Sequence, residues 1–326
     1  MIAARPWSQT DKSPAVSIAG LAHRYGERVA LAGLDLEIAR GEIFGVLGPN
    51  GGGKTTLFKV LATLTPPQTG TVRILDEDAG RAPERVRRRL GVVFQHPALD
   101  GKLTVLENLR CHAALYGLGV TAARARTDAL LARLGLTDRT GDLVETLSGG
   151  LARRVELAKG LLHAPDLVLL DEPSTGLDPG ARRDFFEYLV HLRDNEGLTV
   201  VLTTHYMEEA ERCDRIGFIH QGSLVAVGAP RDLKAEIGGD VVVVDAADPE
   251  QMRARIQQRF GCEPRIVDGV LRIELARGHE FVREVVEAFP GDIRSVTFGK
   301  PTLEDVFVHL TGERFWREAP SPTGRG

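Results

Sequence analysis

Two spacings of apolar residues run through this chain and divide it into regions. In Val16-Ser17-Ile18 and Leu34-Asp35-Leu36-Glu37-Ile38 every second side chain is apolar, the pattern of half-buried antiparallel strands. The runs Ile43–Leu47, Leu90–Phe94 and Leu167–Leu170 are instead continuously apolar, which predicts short strands buried on both faces, and Leu198–Thr204 reads as another buried strand. Helices are expected at Thr55–Leu61, Leu103–Leu118, Ala122–Leu136, Leu151–Leu162 and Gly180–Leu192, with Gly117 and Gly135 closing the second and third. Thr65–Gly70 is turn chemistry, followed by an alternating strand at Thr71–Leu75. Arg81–Arg89 holds five arginines and one Glu and reads as a solvated helix face, with a phosphate or partner patch as the alternative.

From about Ala229 the chain changes character. Val241–Val244, Pro264–Val267, Val270–Glu274 and Ile293–Phe298 read as strands, Pro249–Phe260 and Phe281–Phe289 as helices, and Asp268-Gly269 as a hairpin turn. That β-α-β-β-α-β order predicts a small ferredoxin-like α+β module, closed by a helix that begins within Lys300–Phe307.

A chain of 326 residues with 43% apolar and 26% charged residues is long enough for two cores, and its net charge of -4 argues against broad attraction to nucleic acid. Cys111, Cys213 and Cys262 are scattered and lack metal spacing, so each reads as a small core residue in a reducing compartment. Residues 1–15 have no continuous apolar stretch and are expected to form a disordered leader, not a signal peptide; 314–326 are expected to form a disordered tail. No apolar run approaches the roughly 18–20 residues of a transmembrane helix, so any membrane role needs a partner.

The strongest chemical signal is Gly48-Pro49-Asn50-Gly51-Gly52-Gly53-Lys54-Thr55-Thr56, a G-x-x-x-x-G-K-[ST] loop between an expected strand and an expected helix. Glycines let backbone N–H groups turn onto phosphates, and the helix directs its positive end at them. Lys54 adds a charge on the phosphates, and the Thr55 hydroxyl is placed to hold Mg²⁺. Asp171 and Glu172 end a strand as the second half of such a site: Asp171 for Mg²⁺ through water, Glu172 to orient and deprotonate the attacking water. Gln95 and His205 follow two other buried strands, at the edge where open α/β sheets collect ligands. Ser148, Gly149 and Gly150 open a helix and form a second anion site, with Ser148 as N-cap. Tyr25 could stack on a base, although by itself it reads more naturally as a packed aromatic.

Tyr25, Gly48–Thr56, Gln95, Leu147–Gly150, Asp171-Glu172, Ser174–Asp178 and His205 occur in the order and approximate spacing of ATP-binding cassette (ABC) ATPases, which the chain resembles over about residues 16–230. The resemblance implies an α/β P-loop NTPase core with an antiparallel β subdomain and a helical subdomain at about 100–163, followed by the accessory module at 231–313. It implies ATP and Mg²⁺ as cofactors, Tyr25 as the adenine-stacking aromatic, Gln95 as a Mg²⁺ and water ligand that senses γ-phosphate, and His205 as the switch histidine. It also implies a head-to-tail homodimer in the ATP-bound state, with Asp178 in the loop that crosses the interface. Leu151 stands where the family signature usually has Gln, and Gly52 where Ala or Ser is more common.

The runs Gly91–Gln95, Leu99-Asp100, Leu103-Thr104, Glu107–Leu109, Leu115–Leu118 and Thr302–Gly312 are similar to the subfamily of daunorubicin-resistance ATPases that work with ABC-2 type permeases. That likeness implies export through a separate permease, at the inner face of a bacterial cell membrane, with the helices of 103–136 facing that subunit. The alternatives are a soluble ABC ATPase acting on ribosomes or DNA, which usually joins two cassettes or inserts coiled coils, and an importer or lipoprotein-release ATPase.

Overall fold

The computed structural model describes residues 13–96, 98–313 and 315. The chain begins with β1 (Val16–Tyr25), β2 (Arg28–Ile38), β3 (Ile43–Leu47), α1 (Lys54–Leu61), β4 (Thr69–Ile74), β5 (Glu77–Asp78), α2 (Pro83–Arg87) and β6 (Leu90–Val93). It continues through α3 (Val105–Leu115), α4 (Val120–Arg133), α5 (Gly149–Leu161), β7 (Leu167–Asp171), α6 (Pro179–Glu196), β8 (Thr199–Thr204), α7 (Met207–Ala210), β9 (Arg215–His220) and β10 (Ser223–Gly228). The last third is α8 (Pro230–Ala235), β11 (Asp240–Ala246), α9 (Pro249–Phe260), β12 (Arg265–Val267), β13 (Val270–Leu275), α10 (Gly278–Ala288), β14 (Ile293–Gly299) and α11 (Leu303–Thr311). Two compact units divide between Leu224 and Val225, within β10.

In the first unit β2-β1-β4-β5 form an antiparallel sheet, in which Val16 faces Ile38 and Ile18 faces Leu36, so the alternating residues share one buried side. The second sheet runs β10-β9-β3-β8-β7-β6 and is parallel from β9 to β6. Four of its strands, β3, β6, β7 and β8, fall on the runs expected to be buried: every residue of β3 and β8 is buried, the threonines of β8 included, as are Leu167–Leu170. Burying one Leu or Phe in this way contributes about 1.5–3 kcal/mol, which favours the sheet over any arrangement exposing those runs. Because the strands are parallel, their C-terminal ends lie at one edge of the sheet.

In the second unit β12-β13-β11-β14 form an antiparallel sheet. Val242, Val244, Leu271 and Ile273 pack on Met252 and Ile256 of α9 and on Phe281 and Val285 of α10. The β12–β13 turn is Asp268-Gly269 at φ 49° and 79°, the left-handed pair a tight hairpin needs.

Several expectations change. Gly117 and Gly135 do close helices, both at φ 66°, yet α3 and α4 end at Leu115 and Arg133, short of the glycines. The arginine run is not a solvated face throughout. Only Pro83–Arg87 is helical, Arg87 binds Thr63 Oγ1 and O at 2.8 and 2.9 Å, and Arg89 pairs with Asp166 at 2.6 Å. Of the cysteines Cys213 is buried and Cys262 is half-buried against the second core, but Cys111 is exposed. Within the expected leader, Ala15 is buried and its N–H bonds Ile38 O at 2.8 Å; within the expected tail, Phe315 is buried 5.1 Å from Phe307. Residues 1–12, 314 and 316–326 lie outside the described residues. Among the described residues no helix is long and apolar enough to cross a membrane.

Candidate functional site

The phosphate loop leaves β3 and enters α1 through a passage that accepts only glycine at two points. A Cβ at Gly48 would lie 2.2 Å from Ile219 O, and one at Gly53, where φ is 116°, would lie 2.7 Å from Ala30 O. Gly52 is also crowded, with Pro49 O and Ile219 O at 3.1 and 3.2 Å from its Cβ position, so a larger residue would have to displace neighbours by tenths of an ångström. The loop closes on its own lysine: Lys54 Nζ donates to Gly48 O at 2.6 Å and Pro49 O at 3.1 Å. Burial pulls the Lys54 pKa down, while Glu172 and Asp171 pull it back up. Thr55 is exposed at the first turn of α1, where Thr56 is buried.

The residues behind this loop were not foreseen. Ile219 is the last residue but one of β9, and the Gln221-Gly222 turn that follows the strand supports the loop, Gly222 N–H donating to Gly52 O at 2.9 Å. A turn dipeptide between two apolar stretches was the available signal. Arg28 is the second such residue. It faces Tyr25 across the β1–β2 hairpin and reaches Gly51 O at 3.3 Å, setting Tyr25 beside the loop. Tyr25 is 49% exposed and lies 4.7 Å from His23, edge to face, so the expectation of a packed aromatic is corrected and its ring is open to a ligand.

The parallel sheet brings the acids together with Gln95 and His205. Asp171 ends β7, and Glu172 follows at φ 44°, held there by N–H bonds to Thr203 Oγ1 at 3.0 Å and Thr203 O at 3.2 Å. A positive φ at a residue with a long side chain is backbone strain kept by its surroundings, and it turns Glu172 off the strand line. Glu172 Oε2 meets Gln95 Nε2 at 3.2 Å, His205 Nδ1 at 3.3 Å and Thr175 Oγ1 at 3.4 Å. The His205 hydrogen bond is the leading cause that holds the Glu172 pKa below the usual glutamate value, with Lys54 adding to it. Asp171 moves the other way: burial raises its pKa, opposed by the 2.6 Å hydrogen bond from Thr203 Oγ1 and by Lys54 and Arg153.

Ser148 caps α5, accepting Leu151 N–H at 3.3 Å, and a Cβ at Gly150 would lie 3.6 Å from Leu177. Gly149 begins the helix. The signature therefore sits beside the Ser174–Asp178 loop. Asp178 caps α6, accepting Ala181 N–H at 2.9 Å. Glu209, which the sequence did not single out, joins this loop to the His205 strand: it is buried and accepts hydrogen bonds from Ser174 Oγ and, at 2.6 Å, from Thr204 Oγ1.

A loop of inward-facing backbone groups, a buried lysine and two carboxylates of divergent pKa can bind a polyphosphate and activate water against it. The oxygens of Thr55, Gln95 and Asp171 are hard donors that suit a small divalent cation.

Comparison with known proteins agrees with this chemistry. The family model described as ABC transporter matches residues 31–175, and an AAA domain model matches 147–209. The chain is similar to the daunorubicin resistance ATP-binding protein of Streptomyces coeruleorubidus, at 40% identity over 92% of this chain and 96% of that one. It is similar to the linearmycin resistance ATP-binding protein of Bacillus subtilis at 33% (88% and 95% covered), and to the Nod factor export ATP-binding protein I of Ralstonia nicotianae at 38% (92% and 94%). Among solved structures, an ATP-binding subunit of an ABC transporter aligns with TM-score 0.63 at 30% identity, covering 69% of this chain and 93% of that one. A dimeric ATP-binding cassette in a post-hydrolysis state with ADP and Pi aligns with TM-score 0.61 at 27% identity, covering 66% and 98%. With its phosphate loop, its acid pair and relatives matched over nearly their whole length, the chain belongs to the ABC transporter family, as an ATP-binding and ATP-hydrolysing subunit.

Proposed function

We propose that this chain powers export through a separate ABC-2 type permease, from the inner face of a bacterial cell membrane, by closing head to tail with a second copy around two ATP molecules. The observation that carries this is the match to resistance and export subunits over about nine-tenths of the chain, the C-terminal unit included. Those relatives do not favour action on ribosomes or DNA, import or lipoprotein release.

Gly48–Gly53 and Lys54 bind the β- and γ-phosphates, with Tyr25 under the adenine. Thr55, Gln95 and Asp171 would hold Mg²⁺, which would neutralise charge on the phosphates. Glu172 is the general base. Gln95, His205 and Thr175 all reach its Oε2, which leaves Oε1 to take the proton of the attacking water. His205 passes from Glu172 to the γ-phosphate, reporting its presence. Ser148, Gly149 and Gly150 of the partner subunit close the same nucleotide from the other side, with Asp178 at the interface.

The cassette is assigned to 16–230, its helical subdomain to about 100–163, and the accessory module to 231–313. The antiparallel order β12-β13-β11-β14 supports a ferredoxin-like reading of that module. A groove of about 590 Å³, lined by Leu64, Phe94, Leu103, Cys111, Leu115 and Tyr116, supports docking of the permease against α3; Leu115 is 83% exposed there.

Co-purification of the tagged chain from gently solubilised native membranes, with partners identified by mass spectrometry, tests the assignment. One stoichiometric polytopic protein is expected. Recovery of ribosomal or DNA-bound material alone would overturn the export reading and leave the ATPase chemistry standing.

A further inference from the structure

The helix that opens at the signature also grips the loop that carries Gln95. Arg153, Glu156 and Lys159 are spaced three apart on α5 and share one face, Arg153 and Glu156 buried and Lys159 nearly so. Arg153 Nη1 donates to Phe94 O, immediately before Gln95. On the other side of Gln95, Glu156 Oε1 accepts Ala98 N–H at 2.8 Å, and Lys159 Nζ donates to Ala98 O at 2.6 Å and to Glu156 Oε1 at 3.0 Å. Arg153 reaches the acid pair as well: Nε donates to Pro173 O at 2.6 Å, and Nη2 to Asp171 O at 3.0 Å and Glu172 O at 3.3 Å.

Three charges buried along one helix face are costly unless each is compensated, and apolar side chains would bury the same face at less cost. The compensation here comes chiefly from main-chain groups of the two loops that must stay in register for Gln95 to reach Glu172. Among the described residues Glu156 Oε2 has no hydrogen-bond partner, and Oε1 is the oxygen met by Ala98 N–H and Lys159.

We infer that Arg153, Glu156 and Lys159 are positioning residues that fix Gln95 against Glu172 and make the signature helix and the Gln95 loop move as one body. This rests on the reading of Gln95 as a ligand in hydrolysis.

The test is a double-mutant cycle on the full chain, reading kcat, KM for ATP, the Mg²⁺ concentration for half-maximal rate, and thermal stability. Lys159→Met is expected to lower kcat about tenfold and raise the Mg²⁺ requirement while KM for ATP stays within about twofold, the split for a group acting on the reacting geometry alone. Lys159→Arg, which keeps the charge and donors, is expected to restore the rate. In the Gln95→Ala background Lys159→Met is expected to cost nothing further, because both changes remove one contribution. Should Lys159→Met not fold, Glu156→Gln keeps the acceptor for Ala98 N–H, removes the charge and enters the same cycle. Effects that multiply, or a loss that appears in KM for ATP or in stability alone, would overturn the inference and leave the role of Gln95 intact. Normal kcat in Gln95→Ala by itself would overturn both.

Discussion

At the scale of single residues, the proposed chemistry rests on two adjacent carboxylates driven apart. Glu172 is kept ionised by His205 and Lys54, whereas burial works against ionised Asp171. Glu172→Gln keeps the shape and removes the proposed base, so the phosphate-release rate should fall roughly 10²–10⁴-fold. A normal rate would move the base elsewhere. A second residue effect lies away from the site. His112 and His163 are depressed from 6.5 to about 4, chiefly by burial, with Tyr116 stacked on His163 at 3.9 Å. The unfolded chain takes up protons at these positions below pH 6.5 and the folded chain only near 4, so stability should fall as pH drops through that window. His112→Phe should flatten that slope in thermal melts at stepped pH, and an unchanged slope would assign the acid sensitivity to other groups. The proposed site residues were picked out in the sequence because each follows a strand end or lies in a glycine loop or at a helix start, and the fold brings Gln95, Asp171, Glu172 and His205 to one edge. Arg28, Arg153 and Glu209 were not legible, since their roles are set by backbone atoms 18 to 59 positions away and by two hydroxyls, which no local pattern encodes.

At the scale of elements, apolar spacing located the strands well because a buried strand has almost no polar positions to confuse it. Helix ends were placed less well. The α3 start is fixed by a capping box in which Thr104 and Glu107 exchange hydrogen bonds, and α11 has the same device in Thr302 and Asp305. In α11 it has a second duty, since Asp305 also pairs with Arg272 of β13. Thr302→Ala should cost about 1 kcal/mol and raise hydrogen exchange along α11. Unchanged exchange there would mean that the Arg272 pair and packing alone hold the helix. The arginine run was misread at this scale because a charge run on a short helix looks solvated until Thr63 and Asp166, distant in sequence, are folded against it.

At the scale of the whole molecule, one phosphate loop and one signature on a chain predict complementation between chains. Lys54→Ala should be inactive through its phosphate loop and Gly150→Asp through its signature, the latter without disturbing the fold because a Cβ at Gly150 has ordinary contact distance to Leu177. Mixed in equal amounts, they should recover roughly a quarter of the wild-type activity, since half of the dimers are mixed and each has one intact site. No recovery on mixing would contradict the head-to-tail dimer.

By itself the sequence determined the fold class, most of the strands and helices though not β9 and β10, and the patterns of the phosphate loop, the acid pair and the signature, since these depend on spacing within a few residues, where backbone geometry and side-chain chemistry act locally. Tertiary structure alone decided which oxygen of Glu172 is engaged, which way the two carboxylates titrate, that Tyr25 stays open while Arg89 is tied down, and that one face of α5 holds both loops. Those outcomes depend on burial and on hydrogen bonds between segments distant in sequence, quantities that exist only once the parallel sheet has brought its strand ends to one edge.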